Sequence, residues 1–358
     1  MKDIAKLFAI APEVDAILVT SEKNRRYFTG FASTFGYLVL LKDRPSVFIT
    51  DPRYFEMAEV LKNDGFDVRQ IDNGISGLAT VCSILREAGA KRLGFEDTEM
   101  TVSEFGSVIK VFESEKVNLV PCGEAINKMR RVKTEEETGY IVKAQSVTDK
   151  AFTEILKFVK PGVTEREVAI ELQYIINKLG GHGLAFDTIV ASGVNTSKPH
   201  AHPTDKKIES GDAVTIDFGA SYNGYCSDMT RTFFVGEPSE KMRSIYNIVL
   251  LAQKTAIKNA YCGMTGKELD SWARELIVAN GYGQYFTHST GHSLGIDIHE
   301  EPRASKLSED KLLANQFITV EPGIYIPGVG GVRIEDLLLI KEDEVIDLTT
   351  SDKNIIIL

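Results

Sequence analysis

A passage of this chain returns 101 residues further on, and the offset agrees at both ends of the passage (162 to 263, 180 to 281). Gly162-Val163-Thr164 with Glu167 is matched by Gly263-Met264-Thr265 with Glu268, and Gly180 by Gly281. In each copy the threonine and the glutamate three residues later form a capping box that starts a helix, and the trailing glycine marks its end. Any two capped helices can share Gly-x-Thr-x-x-Glu through local chemistry, but one offset at both ends favours internal duplication. A duplicated α/β unit has a crevice between its halves, and such crevices are common ligand sites.

With 358 residues the chain exceeds one ordinary core, so a second domain is expected ahead of the duplication. Ala16-Ile17-Leu18-Val19, Gly36 to Leu41 and Ser46 to Ile49 read as short apolar strands, and Leu78 to Ala88 as an amphipathic helix. That pattern is an α/β domain. The charge run from Lys128 to Glu137 opens a long helix with Thr134 as N-cap and acidic residues in the first turn. It reads as a solvated linker helix reaching about Val159, before Pro161-Gly162. All six histidines (His182, His200, His202, His288, His292 and His299) lie beyond it, so imidazole chemistry belongs to the second half.

Charge limits the partners. The chain has 41 basic and 51 acidic residues, a formal charge of −10, which excludes nucleic acid bound through a general basic field and favours metal ions or a cationic substrate. Cys82, Cys122, Cys226 and Cys262 are scattered without a CxxC pair, so reduced thiols are expected rather than a disulfide framework or a thiolate zinc site. Met1 to Pro12 has no apolar run long enough for a signal sequence, and no later segment nears a spanning length. A cytoplasmic location without a membrane partner is expected.

The densest chemical signal runs from Ala213 to Phe234. Asn223-Gly224 between β-rich runs is a two-residue hairpin turn. It pairs Tyr222 with Tyr225 and so sets Asp217 opposite Thr230, with Asp228 two residues along on the same face. Two carboxylates held as diagonal neighbours in an apolar stretch repel and resist desolvation, and a metal pair or a shared proton relieves both costs. This segment alone fits two aspartates on an exposed hairpin face about as well.

Later segments shift the balance. Thr287 to Pro302 packs His288, His292 and His299 among Gly291 and Gly295. Phe317 to Tyr325 and Gly331 to Ile340 each place a glutamate, Glu321 and Glu335, inside a buried-looking strand, where a charge needs a partner. An ion pair of Arg333 with Glu335 on one strand face would supply one. Asp217, Asp228, His292, Glu321 and Glu335 offer four carboxylates and one imidazole, a donor set for oxygen-preferring divalent ions such as Mn²⁺ or Co²⁺.

These motifs resemble the pita-bread metallopeptidases, the group containing prolidase (Xaa-Pro dipeptidase), aminopeptidase P, methionine aminopeptidase and the metal-free creatinase. The resemblance spans essentially the whole chain. It rests on Pro199-His200, Asp217 and Asp228 eleven apart, Gly291-His292, Ile298-His299-Glu300-x-Pro302, Glu321-Pro322-Gly323 and Arg333-Ile334-Glu335-Asp336. It implies an α/β (α+β) chain with an N-terminal creatinase/prolidase-like domain over residues 1–125 and a catalytic pita-bread domain over 126–358 with a pseudo-twofold duplication. It also implies two divalent metal ions, Mn²⁺ first with Co²⁺ or Zn²⁺ as alternatives. Asp217 would bind one, His292 and Glu321 the other, with Asp228 and Glu335 bridging. Glu321 would double as proton shuttle for a metal-bridging water or hydroxide, with His200 and His299 catalytic and substrate-binding beside it. Arg333 would support Glu335 or meet a substrate carboxylate.

Methionine aminopeptidases resemble only the later half, whereas prolidases and aminopeptidases P carry an added domain, which Tyr27-Phe28-Thr29-Gly30-Phe31 and Thr50-Asp51-Pro52-Arg53-Tyr54 match. In the resembling proteins that domain helps dimerise the chains and narrows access to the site, favouring peptides with proline second. A homodimer and such a peptide are the expected partner and substrate. Asp51 and Arg53 would then border a neighbour's cleft, or, taken singly, form a turn and a surface ion pair.

Ser293 stands where the family commonly has glycine. It completes Gly291-His292-Ser293-Leu294-Gly295, the nucleophile-elbow pattern of serine hydrolases, although the only later histidine is His299 and no buried strand leads into Gly291. The serine also tests whether this backbone needs a glycine conformation. His288 reads as a further metal candidate or a loop-packing histidine, and His182 and His202 as bystanders. The expected activity is a two-metal exopeptidase acting on Xaa-Pro dipeptides, with aminopeptidase P action on longer peptides as the alternative. A pita-bread binding protein without catalysis would lack ligands, and all five are present.

Overall fold

The computed structural model describes residues 2–71 and 74–358. The chain separates into two compact units, one ending at Arg130 and the other running from Arg131 to Leu358. In the first unit, strands β1 (Ala16–Val19), β2 (Tyr37–Leu41), β3 (Val47–Thr50), β4 (Asp67–Gln70), β5 (Arg92–Phe95) and β6 (Asn118–Pro121) form one mixed sheet ordered β4-β3-β2-β1-β5-β6. Helices α1 (Ile4–Ile10), α2 (Glu22–Thr29), α3 (Pro52–Ala58), α4 (Gly77–Ala88) and α5 (Val102–Ser114) accompany it, and α6 (Gly123–Arg131) follows. β1 is buried along its whole length, as its uninterrupted apolar sequence requires. The buried Glu96 carboxylate accepts from the Ser21 N–H and hydroxyl, the Asn24 amide and the Thr20 N–H, which satisfies its charge and fixes the turn into α2. Asp51 caps α3 and pairs with Arg53 at 2.6 Å, the turn-and-ion-pair alternative for these two residues.

The second unit carries the duplication. Helix α7 (Glu135–Ile155) precedes α8 (Glu165–Lys178), and α9 (Glu240–Asn259) precedes α10 (Gly266–Ala279). Capping boxes are present at Thr164/Glu167 and Thr265/Glu268, and the glycines of both copies take matching left-handed conformations, φ +94° and +99° at Gly162 and Gly263, +88° and +84° at Gly180 and Gly281. α7 and α8 share a core with β7 (Ile189–Ser192), β8 (Asp212–Phe218) and β11 (Met229–Val235). α9 and α10 share another with β14 (Phe317–Val320), β15 (Gly323–Ile326), β16 (Gly330–Arg333) and β17 (Asp336–Ile340). The remaining strands are β9 (Ser221–Tyr222), β10 (Tyr225–Cys226), β12 (Gly291–Ser293), β13 (Glu300–Ala304) and β18 (Val345–Asp347).

Two expectations change. α7 is no solvated linker: Ile141, Ala144, Val147, Ala151, Phe152 and Ile155 form a buried stripe, and Glu135, Glu136, Lys143, Lys150 and Glu154 lie on its exposed face. The segments 317–325 and 331–340 are not single strands. Each breaks into two that join different partners, β14 with β17 and β15 with β16, and the breaks fall at Glu321-Pro322 and Ile334-Glu335. Among the described residues the cysteines are all free, and no helix is long and apolar enough to cross a membrane.

Candidate metal centre

The Asn223-Gly224 turn sets the register anticipated for it, Tyr222 opposite Tyr225 and Thr230 opposite Asp217. Asp228 sits between β10 and β11, 4% exposed. Glu321 and Glu335 occupy the two strand breaks, where a side chain is free of the pleat and the backbone N–H finds a neighbouring loop or strand. The Glu321 N–H donates to the Thr290 carbonyl at 2.7 Å, and the Glu335 N–H to the Thr230 carbonyl at 3.1 Å. His292 comes from β12, whose close approach to β14 depends on Gly291, because a Cβ there would run into the Thr319 carbonyl.

These elements converge on one cavity of about 540 Å³. It is lined by Asp217, Asp228, His292, Glu321 and Glu335, and by His200, His299 and Arg333, so every expected metal ligand and every expected catalytic or substrate-binding residue faces the same space. Ligand atoms of Asp228, His292 and Glu335 lie within 4.8 Å of one another. The His292 Nε2 is 3.4 Å from the Asp228 carboxylate and 3.6 Å from that of Glu321. Its Nδ1 is 3.0 Å from the Ser293 carbonyl, which can only accept, so Nδ1 carries the proton and the Nε2 lone pair is offered to the cavity.

Three carboxylate oxygens, Asp217 Oδ1, Asp228 Oδ1 and Glu335 Oε1, are buried without a hydrogen-bond partner. Burial, reinforced by the charges of its carboxylate neighbours, pushes Asp228 well above the ordinary range and does the same to Glu335. Burial also lifts Glu321 to about 8 against the pull of Arg333, and holds His292 down to about 3. Four acids cannot all ionise in such a space without cations, and unpaired anionic oxygens beside a neutral imidazole are the donors a divalent ion takes. The residues therefore fit a metal centre.

Around these donors the structure adds residues that the sequence did not reveal. Thr230 donates to Glu335 at 2.7 Å and receives the Arg333 Nε–H at 3.0 Å. Arg333 bonds Asp217 at 2.6 Å, not Glu335, and gives another N–H to the Tyr325 hydroxyl at 2.8 Å. That hydroxyl donates onward to His288 Nε2 at 2.8 Å, since His288 Nδ1 is committed to the Ser289 carbonyl at 2.7 Å. His288 thus orients Tyr325 and Arg333, and its ring nitrogens are taken. Arg303, which no sequence motif marked, lines the cavity with a side chain 54% exposed, 3.5 Å from the Glu301 carboxylate and close enough to Glu321 for its charge to favour the ionised form of that carboxyl.

His200 and His299 are exposed at the cavity, and the His299 ring meets His292 edge to face at 4.4 Å between centroids. His182 stacks on Tyr222, and His202 is exposed outside the cavity lining. The serine-hydrolase pattern fails structurally: Ser293 is fully buried in β12, and its hydroxyl has no partner, hence no base. Its φ is not positive, so serine fits where glycine is common.

Comparison with known proteins accords with this geometry. Residues 139–342 match the model of metallopeptidase family M24, and residues 10–132 match the creatinase/prolidase N-terminal domain. The chain is 40% identical to the Xaa-Pro dipeptidase of Pyrococcus furiosus over 96% of its own length and 95% of that protein. Among solved structures it is similar to Xaa-Pro dipeptidase from Bacillus anthracis (TM-score 0.95, 41% identity, 99% of each chain). It is also similar to X-Pro aminopeptidase from Thermotoga maritima (TM-score 0.90, 36% identity, 97% of this chain and 98% of that one).

Proposed function

The chain belongs to metallopeptidase family M24, and from that premise we propose that it is a two-metal exopeptidase that hydrolyses Xaa-Pro dipeptides. The observation that carries the reading is the convergence of Asp217, Asp228, His292, Glu321 and Glu335 in one cavity that also presents Arg303, with an unpaired oxygen on each of Asp217, Asp228 and Glu335. Asp217 would hold one ion, His292 and Glu321 the other, and Asp228 and Glu335 both; the carboxylate-rich set favours Mn²⁺. Divalent ions held there supply a water acidified to near-neutral pKa and Lewis-acid polarisation of the scissile carbonyl.

The protein's own groups do the rest. Glu321, which faces the cavity 3.6 Å from His292, accepts a proton from the attacking water and returns it to the leaving nitrogen. His200 and His299, at the cavity's exposed side, donate hydrogen bonds to the substrate carbonyl as negative charge develops on it. Arg333 holds the Asp217 carboxylate in place, with four of its five N–H groups given to Asp217, Tyr325, Thr230 and the Pro199 carbonyl and its side chain only 3% exposed. The cation left for a substrate carboxylate is Arg303. A carboxylate-binding cation inside the cavity favours a dipeptide, whose C-terminus lies one residue past the scissile bond, over the longer peptides of an aminopeptidase P.

Kinetics of Arg303→Met on Ala-Pro and Ala-Pro-Ala test this. The expected result is a KM for Ala-Pro raised about tenfold or more, from loss of a charge-assisted hydrogen bond, with the tripeptide little affected. Faster wild-type turnover of the tripeptide, with no effect of Arg303→Met on either substrate, would establish the aminopeptidase reading instead.

A further inference from the structure

The Lys133 ammonium is buried, 1% exposed, and pairs at 2.9 Å with the Glu300 carboxylate, 8% exposed. Desolvating two charges consumes most of what their attraction returns, and an apolar pair of equal volume commonly stabilises a fold at least as well. Stability alone therefore does not account for this pair, whereas its place in the chain does. Glu300 directly follows His299 and pairs across β12 and β13 with Ser293, the residue after His292. Residues 294–299 are thus an excursion closed at its base, with a cavity histidine at each foot.

Glu300 also holds the excursion from within. Its Oε1 accepts the Asp297 N–H at 3.3 Å, and it lies so close over Gly295 that a Cβ there would stand 2.6 Å from that oxygen. The Gly295 carbonyl accepts the Cys226 N–H at 2.8 Å, two residues ahead of Asp228. Lys133 is anchored on its own side: its N–H donates to the Asn315 carbonyl at 2.9 Å, and the next residue, Thr134, caps α7 through a capping box.

We propose that Lys133 and Glu300 are positioning residues whose buried ion pair fixes the 294–299 excursion and so sets the placement of His299 beside His292 at the reacting centre. Its catalytic consequence rests on the peptidase reading; its effect on the excursion does not.

The test compares full-length Lys133→Met, Glu300→Gln, their double variant, Lys133→Arg and Gly295→Ala, the last displacing the carboxylate while both charges remain. Two quantities are measured: kcat and KM for Ala-Pro at saturating Mn²⁺, and deuterium uptake across 294–299 with α9 as internal reference. In the two single charge variants and Gly295→Ala, kcat is expected to fall about tenfold or more with KM within about threefold of wild type. The double variant should be no worse than the worse single, Lys133→Arg should recover most of the loss, and uptake across 294–299 should rise without change in α9. Wild-type kcat and uptake in the single variants, losses that multiply in the double variant, or uptake rising equally in α9 would each overturn the proposal. If Lys133→Met does not fold, Gly295→Ala and Lys133→Arg carry the same comparison. Wild-type protein that releases no alanine would defeat the peptidase reading, while uptake across 294–299 still decides the positioning.

Discussion

At the scale of single residues, the metal centre is built from groups that are costly to bury without cations. Asp228 and Glu335 are almost fully buried, and each has one oxygen with no partner. Asp228→Asn keeps the volume and removes the charge, so turnover of Ala-Pro should fall below detection while far-ultraviolet circular dichroism and the metal-free melting temperature stay close to wild type; normal turnover would contradict the ligand assignment. Protonation sets a second expectation. Between the ordinary glutamate range and about 8, folded metal-free protein keeps a proton on Glu321 that the unfolded chain has released. That stabilisation is present at low pH and is lost as pH rises through about 8, and a metal must displace the same proton to bind. His292, held at about 3, stays neutral and does not compete. Apparent Mn²⁺ affinity should weaken at least tenfold per pH unit below about pH 8, as read by titration calorimetry, since binding displaces the Glu321 proton together with those that burial holds on Asp228 and Glu335. The donor types were legible in the sequence, but the partner of Arg333 was not: Arg333 ends β16 and Glu335 precedes β17, so strand alternation does not carry across the change of sheet that puts Arg333 against Asp217.

At the scale of elements, local chemistry could be read directly. Asn223-Gly224 dictates a hairpin register that needs nothing beyond its flanking strands, and the threonine-glutamate boxes start α8 and α10 whatever packs on them. Removing one cap should therefore act locally. Thr265→Ala is expected to cost about 1 kcal/mol in urea unfolding, with Mn²⁺ affinity unchanged. Long-range pairing is what the sequence hid: β15 against β16 brings Tyr325 to Arg333, and β12 against β13 brings Arg303 opposite His292, contacts set by which strands meet rather than by any nearby signal. The buried face of α7 was obscured for a related reason, because its charged first turn dominates the local pattern while its apolar stripe acquires meaning only against β8 and β11.

At the scale of the whole molecule, each unit has its own core, and every proposed metal ligand lies in the second. Adding Mn²⁺ to stripped protein should lower deuterium uptake in peptides containing residues 217, 228, 292, 321 and 335 and leave the 16–19 and 92–95 strands of the first unit unchanged. The central claim, that these five side chains hold divalent ions that drive Xaa-Pro cleavage, is tested most directly by quantifying alanine released from Ala-Pro by chelator-stripped protein before and after Mn²⁺ is restored. The account predicts no release without metal, and activity that rises with added ion to a plateau at two per chain. Release by fully stripped protein, or none under Mn²⁺, Co²⁺ or Zn²⁺, would contradict it.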